Sequence, residues 1–360
     1  MNLAPALRDR LAWAIRTVLS GSGTRKFAPT PGAATLLPSG GAAWLVHAEA
    51  SMMVGGIRAL LLQSLHPVAM QGVGEHSDFR SDPLGRLRRT VFFLGTTTYC
   101  PLAEAEAALE AVRRVHLGVS GITPDGRRYR AGDADLLAWV HATEVDSFLE
   151  AYLRYGRRPR RGTAPAASHG GDAATGSDGD RRGGGGQDSE GGGMPAADRT
   201  DSRPPGAPPM NATEGAAVSP ADLPDRYVAE MATVAERLGI DEPPRSQAEL
   251  LAVINGFRPA VAATDLSREA THFLRAFPLS PVARLAYRVL FWAAFDSLPP
   301  WAQALHDLRC GPLRRLGVRP TARTMLRLMG WALRDAPDPE PDESSGDTAA
   351  TATPRTSGAS

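Results

Sequence analysis

Nearly every apolar segment of this 360-residue chain repeats its large side chains at three- and four-residue spacing, and period-two alternation is almost absent. That pattern restricts the chain to an all-α fold with at most a minor hairpin. Residues 44–65 are apolar all round, as in a buried helix. Asp82 and Pro83 supply an N-cap and a first-position proline for a helix running through Phe93. A helix over 101–115 places Leu102, Leu109 and Val112 on one face, and Asp133 caps a helix that ends at Gly156, a suitable C′ glycine. Between these two helices, SGITPDGRRYRAGD holds a Pro-Asp-Gly turn and predicts a short β-hairpin. Helical patterns also end at Gly239 and occupy 247–257, 267–276, 282–295, 301–308 and 321–335.

Composition breaks sharply after Gly156. The stretch to Ala221 is rich in Gly, Ser, Asp, Pro and Arg and nearly free of large apolar residues. Such a stretch cannot bury enough surface to offset its ordering entropy, so 157–221 is expected to be a disordered insertion and 336–360 a disordered tail. The flanking patterns are both helical, and loop-closure entropy grows slowly with length. One split domain over 1–335 is therefore expected rather than two.

A formal net charge of +1 provides no overall field for nucleic acid. Cys100 and Cys310 form no CxxC pair, which argues against a disulfide scaffold or a thiolate zinc site and agrees with a cytoplasmic setting. Charges at Arg8, Asp9, Arg10 and Arg16 interrupt any signal-peptide core, and no run is long enough for a transmembrane segment. The N-terminal segment reads either as a packing helix or as an amphipathic surface helix, which leaves peripheral membrane contact open.

Three groups of residues could carry chemistry. His141 lies midway along a helix in LLAWVHATEVDSF, with Leu137, Val140, Glu144 and Phe148 on or beside its face. A neutral imidazole on an apolar face suits an axial haem ligand, and equally suits a buried histidine bonded to a carbonyl. Arg86 and Thr90 share a helix face at i and i+4, where they can meet one anionic or oxygen ligand or form a solvated basic face. His66 and His76 have no chelating spacing; His66 reads as a helix end and His76 as part of a glycine-rich loop. No phosphate loop or nucleophile elbow occurs.

The runs GGIRALLLQSLHPVAMQGVGEHSDFRSDPLGRLRRT and SGITPDGRRYRAGDADLLAWVHATEVDSFLEAYLRYG resemble the MpaB-type oxygenase family, also known as DUF2236 and as the rubber oxygenase (latex clearing protein) catalytic domain. The likeness resumes at LPDRYVAEMATVAERLG, THFLRAFPLSPVAR and LPPWAQAL and covers a core of about 44–331. It implies a single globin-like helical domain around a haem pocket. It also implies haem b as cofactor and O2 with a hydrophobic alkene or isoprenoid as substrates. By resemblance His141 is the proximal iron ligand, and Arg86 with Thr90 is the catalytic and cofactor-binding pair. Arg89 departs from a pattern in which lysine could reach iron, because a guanidinium does not readily deprotonate. A helical protein that holds haem or lipid without turnover is the alternative.

Overall fold

The computed structural model describes residues 30–157, 218–308 and 311–334, together with Arg8, Ala12, Ile15 and Phe27. The chain divides into Met1–Pro159 with Val218–Ser360, and Arg160–Ala217. The second unit lies outside the described residues, as do most of the expected insertion, the expected tail and most of the N-terminal segment.

Local end signals set many of the helix limits. Asp82 caps α4 (Pro83–Tyr99) by accepting from Gly85 N, with Pro83 in the first turn. Ser246 does the same for α8 (Gln247–Gly256). The capping box Thr264/Ser267 opens α9 (Asp265–Arg275). Gly239 ends α7 (Leu223–Leu238) at φ +94°, a left-handed conformation that favours glycine. Further helices are α5 (Leu102–Gly118), α6 (Ala134–Tyr155), α10 (Pro281–Ser297), α11 (Pro300–Leu305) and α12 (Pro312–Arg334). The expected hairpin is β1 (Ser120–Ile122) antiparallel to β2 (Arg128–Arg130), with Gly121 opposite Tyr129.

Several sequence expectations need correction. The buried run 44–65 is two helices, α1 (Ala42–His47) and α2 (Met52–Gln63), separated by turns at 48–51. The glycine-rich stretch after His66 is not a loop but α3 (Pro67–His76); His66 is its N-cap, accepting from Ala69 N through Nδ1. Asp133 begins α6 without capping it, because its carboxylate accepts from Arg130 N at the end of the hairpin. Gly156 ends α6 at φ −66°, so no left-handed turn requires it; a Cβ there would instead lie 2.6 Å from Tyr152 O. The insertion ends earlier than Ala221, since Val218 is buried in the core and Ser219 O accepts from Asp222 N and Leu223 N.

The central element is α6. Its middle joins α1, α7 and α8 in one apolar cluster built on Trp139, Phe148, Tyr227 and Leu250. Its last turns join α2, α10 and α12 in a second, built on Leu61, Phe291, Phe295 and Leu326. Both chain segments flanking 160–217 therefore build the same cores. Glu230 on α7 ties them further, accepting from Ala42 N and Ala43 N at the start of α1.

Helices α2 and α6 approach closely at Gly55, where a Cβ would sit 2.7 Å from the Phe148 ring and 3.1 Å from Ser147 O. Gly55→Ala is expected to cost about 1–3 kcal/mol by overpacking. Next to it, a Cβ on Gly56 would meet nothing within 4 Å. Gly56→Ala should therefore stabilise the helix by up to about 1 kcal/mol. Urea unfolding of the two variants checks the opposite signs.

Candidate active site

His141 sits on α6 with 8% of its surface exposed. Burial lowers its pKa to about 4, so the ring is neutral at physiological pH. Among the described residues it has no hydrogen-bond partner, whereas Thr143, two residues on, donates to Trp139 O at 2.7 Å. One turn further, burial raises the Glu144 carboxyl to about 7, and it too has no hydrogen bond or ion pair among the described residues.

Arg86 and Thr90 lie one turn apart on α4. Arg86 is half-buried, and burial together with Arg89 lowers its pKa. No carboxylate pairs with it among the described residues. Thr90 is exposed and donates to Arg86 O at 3.2 Å, which leaves its oxygen lone pairs free to accept. Arg89 lies on a different face, exposed, and pairs with Asp82 at 3.4 Å and Asp78 at 3.8 Å.

No hydrogen bond or ion pair joins His141 to Arg86 or Thr90 among the described residues. Their helix faces meet elsewhere. The α4 stripe runs Arg86, Thr90, Leu94, Thr98 at four-residue steps, and the α6 stripe runs His141, Glu144, Phe148. Both reach His47 at the end of α1. Its Nδ1 is 2.8 Å from Thr98 Oγ1, and its ring packs edge-on against Phe148 at 5.7 Å. At 1.5 Å per residue, Thr90 and His141 each precede this junction by about 10–12 Å along their own helices.

Proton bookkeeping fixes the direction of every bond at the junction. Thr98 gives its single hydroxyl proton to Leu94 O at 2.7 Å, so it accepts from His47 Nδ1–H. Burial lowers His47 to about 4, so its Nε2 carries no proton and accepts from Tyr227 O–H at 3.0 Å. Burial raises Tyr227 well above its ordinary value, and the charges of Glu144 and Glu230 add to that. The string Tyr227–His47–Thr98 thus ends within electrostatic reach of Glu144.

Sequence reasoning did not single out His47, Thr98 or Tyr227, and placed Glu144 only as a neighbour of His141. The available signal was a lone polar residue within an apolar run, as in AAWLVHAEA and WVHATEV. The two other histidines considered are structural. His66 is a helix cap packed 5.9 Å from the Trp139 ring, and His76 contacts Ser120 O at the hairpin. Among the described residues no group of three or more His, Cys, Asp or Glu side chains could hold a metal ion.

A helical chain that carries a neutral buried histidine on one helix and a half-buried arginine on another, neither with a side-chain partner among the described residues, has features of a cofactor-binding protein. The family model described as ER-bound oxygenase mpaB/B′/Rubber oxygenase, catalytic domain, matches residues 44–167 and 215–334, and the chain belongs to that family. The gap in the match falls inside the compositional break. No match was found among curated proteins or solved structures.

Proposed function

We propose that this chain is a haem b-dependent oxygenase, acting in the cytoplasm with O2 on a hydrophobic, alkene- or isoprenoid-like substrate. We also read 1–335 as one oxygenase domain interrupted at 157–221. Family membership supports the oxygenase class, and the observation that carries the haem reading is His141, buried, neutral and without a hydrogen-bond partner among the described residues. An iron ligand needs such a lone pair, and a single protein ligand suits a metal held mainly by a macrocycle. Arg86, a half-buried cation without a carboxylate partner among the described residues, fits an anionic group such as a propionate. When bound, haem supplies the centre at which dioxygen is activated.

The chain's own residues then divide the remaining tasks. His141 holds the cofactor from α6. Arg86 offers a fork of donors from α4, and Thr90 offers an acceptor oxygen on the same stripe. Trp139, Val145 and Phe148 belong to one buried apolar cluster, against which Phe93 and Leu94 pack, and this apolar lining would exclude water. Because Arg89 is held by Asp78 and Asp82, it supplies no ligand from that face.

The test is the visible spectrum. Wild-type protein is expected to show a Soret band, His141→Ala to lose or shift it, and Arg86→Ala to retain less haem. Protein that stays colourless after haem titration would rule out the haem assignment. If haem binds, oxygen consumption with polyisoprene or short terpenoid alkenes separates an oxygenase from a non-catalytic haem or lipid carrier.

A further inference from the structure

Helix α12 combines two properties that an ordinary packing helix does not need together. Its sequence holds six arginines and no Asp or Glu. Its inner face packs Ala322 and Leu326 into the second core cluster, while Leu328 and Trp331 remain 53% and 38% exposed on the outside. Four-residue steps place Arg319, Arg323, Arg327 and Trp331 on one stripe, with Leu328 one turn before Trp331.

This stripe faces the end of α6 across a cleft of about 190 Å³ lined by Arg154, Tyr155, Arg319 and Arg323. Two of these guanidiniums are neutralised. Arg154 pairs with Glu150, and Arg319 pairs with the buried Asp296 at 2.7 Å. The others have only backbone partners among the described residues. Arg323 Nε donates to Arg154 O at 3.0 Å, and Arg157 Nη2 donates to Arg327 O at 3.3 Å. Among the described residues Arg157, Arg323 and Arg327 thus have no carboxylate partner, and they lie beside an anion-sized cleft, next to an exposed tryptophan and leucine. Nucleic acid would use the charges but not the exposed apolar pair. An anionic bilayer uses both, because tryptophan settles at the headgroup level while arginines meet lipid phosphates.

We propose that the outer face of α12, with the end of α6, docks the protein onto an anionic lipid bilayer. A headgroup phosphate lies against Arg323 and Arg327, and Trp331 and Leu328 enter the interface. This surface is separate from His141 and stands whether or not haem is bound.

The experiment is flotation of the full chain with phosphatidylcholine vesicles, with and without phosphatidylserine. Binding is expected only with phosphatidylserine and should weaken as salt is raised. Arg323→Gln/Arg327→Gln keeps a donor for Arg154 O while removing two charges, and should weaken binding roughly 30-fold at about 1 kcal/mol per arginine. Trp331→Ala should weaken it severalfold with charge unchanged. Unaltered circular dichroism and melting temperature show that the variants remain folded. Absence of binding to phosphatidylserine vesicles overturns the proposal, as does a double variant that binds like wild type. Binding to a DNA duplex without binding to vesicles overturns it in favour of nucleic acid.

Discussion

Arg58→Met is expected to lower the unfolding free energy by about 3–5 kcal/mol, the usual cost of removing one partner from a buried ion pair. Arg58 is almost fully buried on α2. Its Nη1 lies 2.6 Å from Asp146 Oδ2 and 2.8 Å from Ser147 Oγ on α6, and its Nε donates to Ser297 O at 3.3 Å. Ser297 ends α10, so one guanidinium joins three helices and satisfies a helix-terminal carbonyl. Methionine fills similar volume but leaves the Asp146 carboxylate buried and uncompensated. Removing both charges in Arg58→Met/Asp146→Leu should restore much of the loss, since the pair's attraction is offset by its desolvation. Urea unfolding of the two single variants and the double variant measures the coupling. A loss below about 1 kcal/mol in Arg58→Met would show that the pair is not a structural pin.

The fold was legible where chemistry is local. Asp82-Pro83, the Pro-Asp-Gly turn and Gly239 each specify a helix start, a hairpin or a helix end within a few residues, and the structure has all three. The break between α1 and α2 was not legible, because AEAS contains neither glycine nor proline. The start of α1 is held instead by Glu230, far along the chain. Helix α3 was misread because GVG resembles a loop, although His66 before Pro67 was already a cap-and-first-turn signal. The candidate site divides the same way. Arg86 and Thr90 share a helix face by spacing alone. His47, Thr98, Glu144 and Tyr227 are scattered through the sequence, on four different helices. Only packing of α1, α4, α6 and α7 brings them together, so no periodicity within one helix reveals the string.

Glu144→Gln is expected to remove a pH dependence of stability. Burial raises the Glu144 carboxyl to about 7 from an ordinary value of 4.5. Between those values the folded protein holds a proton that the unfolded chain releases, so wild-type stability falls as pH rises through that window. Below it the carboxyl is neutral in both states and burial carries no ionic cost. Above about 7 it is charged in both, and the folded state bears the full cost of a carboxylate without a partner. At about 1.4 kcal/mol per pH unit, the loss between pH 5 and pH 8 approaches about 2.5 kcal/mol, an upper limit because the side chain keeps some solvent contact. Glutamine cannot ionise, so Glu144→Gln should gain on wild type by up to that amount at pH 8 and by little at pH 5. Urea unfolding at pH 5, 6, 7 and 8 tests this, and parallel curves for the two proteins would refute it. A stability cost carried at neutral pH is what a functional carboxyl one turn from His141 would impose, because a purely structural position would accept leucine or glutamine without it.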